Sequence, residues 1–84
     1  MVKTRYILLL LSVLVVTPMW GQVDKKDVRR GNRDFRKENY REAEIDYRKA
    51  LVKDSLSFAA NYNLAGTLYR EGDYAQAVQS LDKL

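Results

Sequence analysis

The chain has 84 residues, fifteen Lys+Arg against eleven Asp+Glu for a net charge of +4, and neither His nor Cys. That length holds one small domain at most. The missing Cys excludes a disulfide framework, a thiolate zinc site, an iron–sulfur cluster and a lipidated cysteine, and the missing His removes the commonest general base and metal ligand. Most hydrolase and metalloenzyme readings end on composition.

The N-terminus comes first in chain order. Lys3 and Arg5 precede Ile7–Val16, an apolar run broken only by Ser12, and Thr17, Pro18, Met19, Trp20, Gly21 and Gln22 follow. A basic start, a short apolar stretch and a polar end predict a secretory signal peptide over residues 1–21, cut between Gly21 and Gln22. The apolar run is shorter than the roughly 18 residues of a membrane span. Met19 is large where a small residue is preferred before a cut. The alternative is therefore an uncleaved N-terminal anchor that holds the chain at a membrane. Both readings predict export, to the periplasm or cell envelope.

Removal of residues 1–21 leaves 63 residues and a charge of +2. Seven basic residues and three acids lie between Asp24 and Lys37, the basic ones including Arg29, Arg30, Arg33, Arg36 and Lys37. Such a cluster attracts nucleic acid or an anionic membrane surface in some proteins. Acids are interspersed here and no base-reading motif is present, so the segment reads as a solvated first helix, with no nucleic-acid partner.

The rest of the chain is self-similar. Tyr40 and Tyr74, Ala43 and Ala77, Phe35 and Tyr69, Val28 and Tyr62, and Gly31 and Ala65 are each 34 residues apart, large facing large and small facing small. Local signals divide each period into two helices. Asn39 and Glu42 open one helix, whose apolar stripe is Ala43, Tyr47, Ala50 and Leu51. Ser57 caps a helix over about Phe58–Glu71, with Leu64, Ala65, Leu68 and Tyr69 at helical spacing. Gly72 stops it, and Asp73 with Gln76 forms a capping-box pattern for a last helix over Tyr74–Leu84. Turns are expected near Lys37–Asn39 and Glu71–Asp73. Strand signals are missing after residue 22.

Period, turn and small residues together resemble the tetratricopeptide repeat family. Leu64–Ala65, Leu68, Gly72-Asp73-Tyr74, Ala77 and Leu81 follow its pattern in the second period, and Tyr40, Ala43, Tyr47, Ala50 and Leu51 in the first. The resemblance implies an all-α fold of antiparallel helix-turn-helix repeats, an α-solenoid fragment after the signal peptide. Repeat one covers about residues 24–57 and an incomplete repeat two about 58–84. Asn61, Arg30, Asp34, Ser55 and Leu84 depart from the pattern. Arg29–Leu51 and Tyr62–Val78, behind an export signal, also resemble the exported tetratricopeptide proteins of the Bacteroidetes aerotolerance (Bat) operon, which implies a cell-envelope adaptor.

No catalytic constellation emerges. Glu42 with Asp46, and Glu38 with Glu42, have helical i,i+4 spacing beside Arg41, Arg48 and Lys49, and read as a solvated face. Ser55, Ser57 and Ser80 have no nearby base. Gly31, Gly66 and Gly72 are isolated and form no phosphate loop. Tyr40, Tyr47, Tyr62, Tyr69 and Tyr74 read as inter-helix packing. Neither a metal nor a cofactor is expected, and the chain reads as a non-enzyme.

What the resemblance implies is a groove lined by the first helix of each repeat: Val28, Arg29, Asn32, Phe35, Arg36, Tyr62, Asn63, Tyr69 and Arg70. Asn32 and Asn63 match the two asparagines of the family's peptide-carboxylate clamp, whose lysine is replaced by Val28. The expected function is a protein- or peptide-binding adaptor. The alternative is a structural role in which the repeats stack onto a partner. Val78, Leu81 and Leu84 form an apolar row that no later helix of this sequence covers. Fewer than two repeats are present where about three are usual. The 63-residue part is therefore expected to melt broadly or to self-associate through its last helix.

Overall fold

The computed structural model describes residues 25–84, and the export segment with its cleavage point lies outside them. The described chain is all-helical: α1 (Lys25–Arg36), α2 (Tyr40–Lys53), α3 (Phe58–Glu71) and α4 (Tyr74–Asp82). Each helix packs on the one before it, and α1 also reaches α3. No helix among the described residues is long and apolar enough to cross a membrane.

The boundaries follow local chemistry. Ser57 accepts a hydrogen bond from the Ala60 amide at 3.3 Å and so satisfies an orphan donor of the first turn of α3. Gly72 ends α3 at φ 85°, a left-handed conformation that costs glycine nothing. Asp73 then accepts from the Gln76 amide at 3.2 Å. The second half of the expected capping box is altered: the Gln76 side chain donates to the Asp73 carboxylate at 2.6 Å instead of to its backbone. Asn39 departs further. It occupies the cap position of α2, but its side chain makes no capping bond.

The turns α1–α2 and α3–α4 repeat one another bond for bond. Asn39 N–H donates to Asp34 C=O at 2.9 Å, and Asp73 N–H donates to Leu68 C=O at the same distance. Glu38 N–H donates to Phe35 C=O and Gly72 N–H to Tyr69 C=O, at 2.9 and 3.0 Å. Phe35 meets Tyr40 edge-on with ring centroids 5.3 Å apart, and Tyr69 meets Tyr74 in the same way at 5.2 Å. Each of these pairs is offset by the 34 residues of the sequence period.

One residue spoils the match. Glu38 stands where Gly72 stands in the second turn, and it too is left-handed, at φ 62°. Its Cβ crowds the backbone there, whereas glycine has none. Glu38→Gly is expected to raise stability by about 0.5–1 kcal/mol. The midpoint of urea unfolding tests this; an unchanged or lower midpoint would mean that the Glu38 side chain stabilises the turn in another way.

The core is built from small residues and a few large ones: Val28, Ala43, Tyr47, Ala50, Ala60, Leu64, Leu68 and Ala77, with Phe35 and Leu51 packed against them. The alanines let the helices approach closely, so the large side chains have little room to adjust. Asn61 is fully buried. Its amide donates to the carbonyls of Ser55 and Ser57 at 3.1 and 3.0 Å, which ties α3 to the preceding loop.

A polar seam joins α1 and α2. Buried Asp27 receives the Lys53 ammonium at 2.6 Å and Arg30 at 3.4 Å. Arg30 also reaches to 4.0 Å from Asp46. Asp46, expected on a solvated face, is buried, because α2 turns it toward α1 and Asp34.

Candidate functional site

The expected groove residues divide among three adjoining surfaces. The first is a recess of about 390 Å³ lined by Asn32, Phe35 and Arg36 of α1, Tyr47 of α2, and Tyr62, Asn63 and Gly66 of α3. Five of the nine residues expected from the resemblance therefore meet here. Arg29 lies beside it in a basic recess of about 580 Å³, shared by Lys26, Asn32, Arg33 and Arg36. Tyr69 faces the other side of α3, in an apolar groove of about 410 Å³ with Tyr62, Ala65, Gly66, Tyr74, Ala77, Val78 and Leu81. Arg70 is exposed and lines none of the three. Val28 is buried in the core, not in the groove.

Hydrogen bonds fix the floor of the first recess. The Tyr47 hydroxyl donates to Asn32 Oδ1 at 2.5 Å, and Asn63 Nδ2 donates to the same oxygen at 3.2 Å. One acceptor thus links α1, α2 and α3. It also changes what the two asparagines can offer: the Asn32 carbonyl is occupied within the chain, while its amide nitrogen has no partner among the described residues. Burial pushes the Tyr47 hydroxyl up to about 12, so it stays protonated and keeps donating at neutral pH.

Tyr47 and Gly66 line this recess although the sequence pattern pointed to neither. Tyr47 reads as a core residue, and it is one, but its hydroxyl end reaches the recess. Gly66 lacks a side chain that could announce it. Lys26 and Arg33 extend the basic surface by the same helical spacing that groups Arg29 with Arg36, a signal present in the sequence. Among the described residues Lys26, Arg29, Arg33 and Arg36 have no ion-pair partner, whereas Arg30, Arg48 and Lys53 are paired. Their charges are available at the rim.

The tyrosines correct the sequence reading. Tyr47 is buried between helices and Tyr40 partly so, but Tyr62, Tyr69 and Tyr74 are 57%, 63% and 59% exposed. Nothing among the described residues covers them.

Comparisons with family models, with curated proteins and with solved structures found no match.

Proposed function

We propose that this chain is a non-catalytic adaptor of tetratricopeptide type that holds an extended segment of a partner protein in the recess between α1 and α3. The convergence of Asn32, Phe35, Arg36, Tyr62 and Asn63 around one open space carries the reading. An extended peptide needs amides for its backbone, a cation for its carboxylates and aromatic faces for its side chains, and these residues provide all three. The bond-for-bond recurrence of the two turns supports the repeat architecture. The recess's own groups support a binding role: Arg36, two amides and two tyrosines, with no carboxylate to act as base. Export to the cell envelope belongs to this reading through residues 1–21 alone.

Arg36→Ala combined with Tyr62→Ala tests the groove, since both side chains are exposed and neither supports the core. Arrayed extended peptides should be retained by the unaltered chain and lose about tenfold or more in affinity with the variant, roughly 1.4 kcal/mol. Retention of no peptide, or of the same peptides equally by both chains, would overturn the proposal.

A second reading, assembly by stacking onto a partner, is favoured by a different observation. The groove lined by Tyr69, Tyr74, Val78 and Leu81 has no charged side chain in it.

A further inference from the structure

The α3–α4 face exposes a row of large apolar side chains. Phe58, Tyr62, Tyr69, Tyr74, Val78 and Leu81 are each between 45% and 65% exposed. They are continuous: Phe58 stacks on Tyr62 at 5.8 Å, Tyr69 meets Tyr74 at 5.2 Å, and Val78 and Leu81 complete the groove that the last three tyrosines border. Together these side chains expose on the order of 600 Å², mostly carbon. That is the upper end for the largest apolar patch of a monomer, roughly 300–600 Å². It approaches the ~800 Å² that each partner contributes to a standard interface.

Gly66 supplies a separate observation. A glycine inside a helix costs about 1 kcal/mol relative to alanine. At Gly31 the missing Cβ has an evident use, because the Tyr47 ring fills its place. At Gly66 nothing of the chain lies within 4 Å of where a Cβ would be. The space stays open at the bottom of a trough made with Ala65 and Ala77, and Tyr62, Tyr69 and Tyr74 stand around it.

We infer that this face is where two copies of the chain meet. The surface carries both halves of its own complement, an aromatic ridge and a small-residue trough. A two-fold axis therefore places the tyrosines of each copy over the Ala65–Gly66–Ala77 trough of the other, as an isologous contact requires. Charge permits it. Each copy is basic, but the unpaired cations Lys26, Arg29, Arg33 and Arg36 sit on α1, which makes no contact with α4. The joined faces have no charge to bury. The two readings share Tyr62 and Gly66, which line both surfaces, while Asn32, Phe35, Arg36 and Asn63 line the recess alone and Tyr69, Tyr74, Val78 and Leu81 the groove alone.

The chain has no cysteine, so single cysteines report proximity without background. Full-length chains with Val78→Cys, or with Lys49→Cys on the exposed side of α2, are treated in intact cells with a short bis-maleimide and sized on a denaturing gel. Val78→Cys should give a linked dimer of this chain, and Lys49→Cys should not. Adding Tyr69→Glu, an exposed position, should abolish the Val78→Cys product while the circular dichroism of the chain keeps its helical content. Equal linking at both positions would mean association through another part of the chain and would overturn the inference. So would the absence of a Val78→Cys dimer, or a linked product of Val78→Cys that contains a different protein instead of a second copy. Peptide retention in the recess should survive Tyr69→Glu, so failure of one proposal is distinguishable from failure of the other.

Discussion

Gly31→Ala is expected to destabilise the fold by about 1–2 kcal/mol, although alanine is the better helix former. A Cβ on Gly31 would lie 2.6 Å from Tyr47 Cε1, 2.8 Å from Cδ1 and 2.9 Å from Cζ. The ring cannot retreat outward, since Tyr47 is 1% exposed and its hydroxyl is bonded to Asn32. Helix propensity contributes about 1 kcal/mol in favour of alanine. Overpacking of a closed site costs about 1–3 kcal/mol. Displacing the ring also weakens a hydrogen bond worth about 1 kcal/mol. The unfavourable effects win. Gly66→Ala provides the opposite case: no atom of the chain meets the new Cβ, so only the propensity gain of about 1 kcal/mol remains. Urea unfolding of both variants, each on a Val78→Glu background so that association does not enter, checks the signs. A stabilising Gly31→Ala would show that the Tyr47 ring moves freely and that the Asn32 bond does not hold it.

This contrast shows what a single sequence can and cannot tell. Gly31 and Gly66 look alike in the chain, each an isolated glycine in a helical pattern. Only three-dimensional packing separates a glycine beneath a buried ring from one facing open space. The turns were legible because their signals are local. Ser57, Gly72 and Asp73 act within four residues of themselves, and the span Phe58–Glu71 was readable from them. Asn39 looked equivalent to Asp73, but its side chain makes no capping bond while that of Asp73 does. The site was legible in part for a similar reason. Helical spacing groups Asn32, Phe35 and Arg36, and the period relates Tyr62 and Asn63 to their helix neighbours Val28 and Arg29. Periodicity does not say on which side of α3 a residue falls when both sides are exposed, which is why Tyr69 was expected in the groove and lies behind it.

Stability is expected to rise as the pH is lowered from 7 toward 4. Asp46 is the main cause. Burial between α1 and α2, reinforced by the Asp34 carboxyl against it, raises its pKa from 3.8 to about 6, more than Arg30 and Lys49 offset. The folded chain therefore holds the Asp46 proton more tightly than the unfolded chain does. Above about pH 6 the folded state carries the full cost of an ionised Asp46, and below 3.8 it carries none. A shift of about two units corresponds to roughly 1–3 kcal/mol. Glu71 acts in the same direction, raised by burial and by its contact with Glu44. Asp27 acts in the opposite one. The Lys53 ammonium holds its carboxyl below the usual 3.8, so its contribution is present above that value and is lost as the pH falls through the depressed one. The two effects together place the stability maximum near pH 4, where Asp46 is largely protonated in the folded chain and Asp27 is still ionised there. Asp46→Asn separates them, because the asparagine amide can donate to Asp34 and carries no charge. At pH 7 the variant should melt several degrees higher, at about 4–8 °C for each kcal/mol in a domain of this size. Its melting temperature should also lose most of its slope between pH 4 and 7, keeping only the part due to Glu71, while the acid limb due to Asp27 remains. Thermal melts followed by circular dichroism across that range decide the matter. A variant that is less stable at pH 7 and keeps the original slope would show that Asp46 is ionised at little cost in the seam and that the dependence has another source.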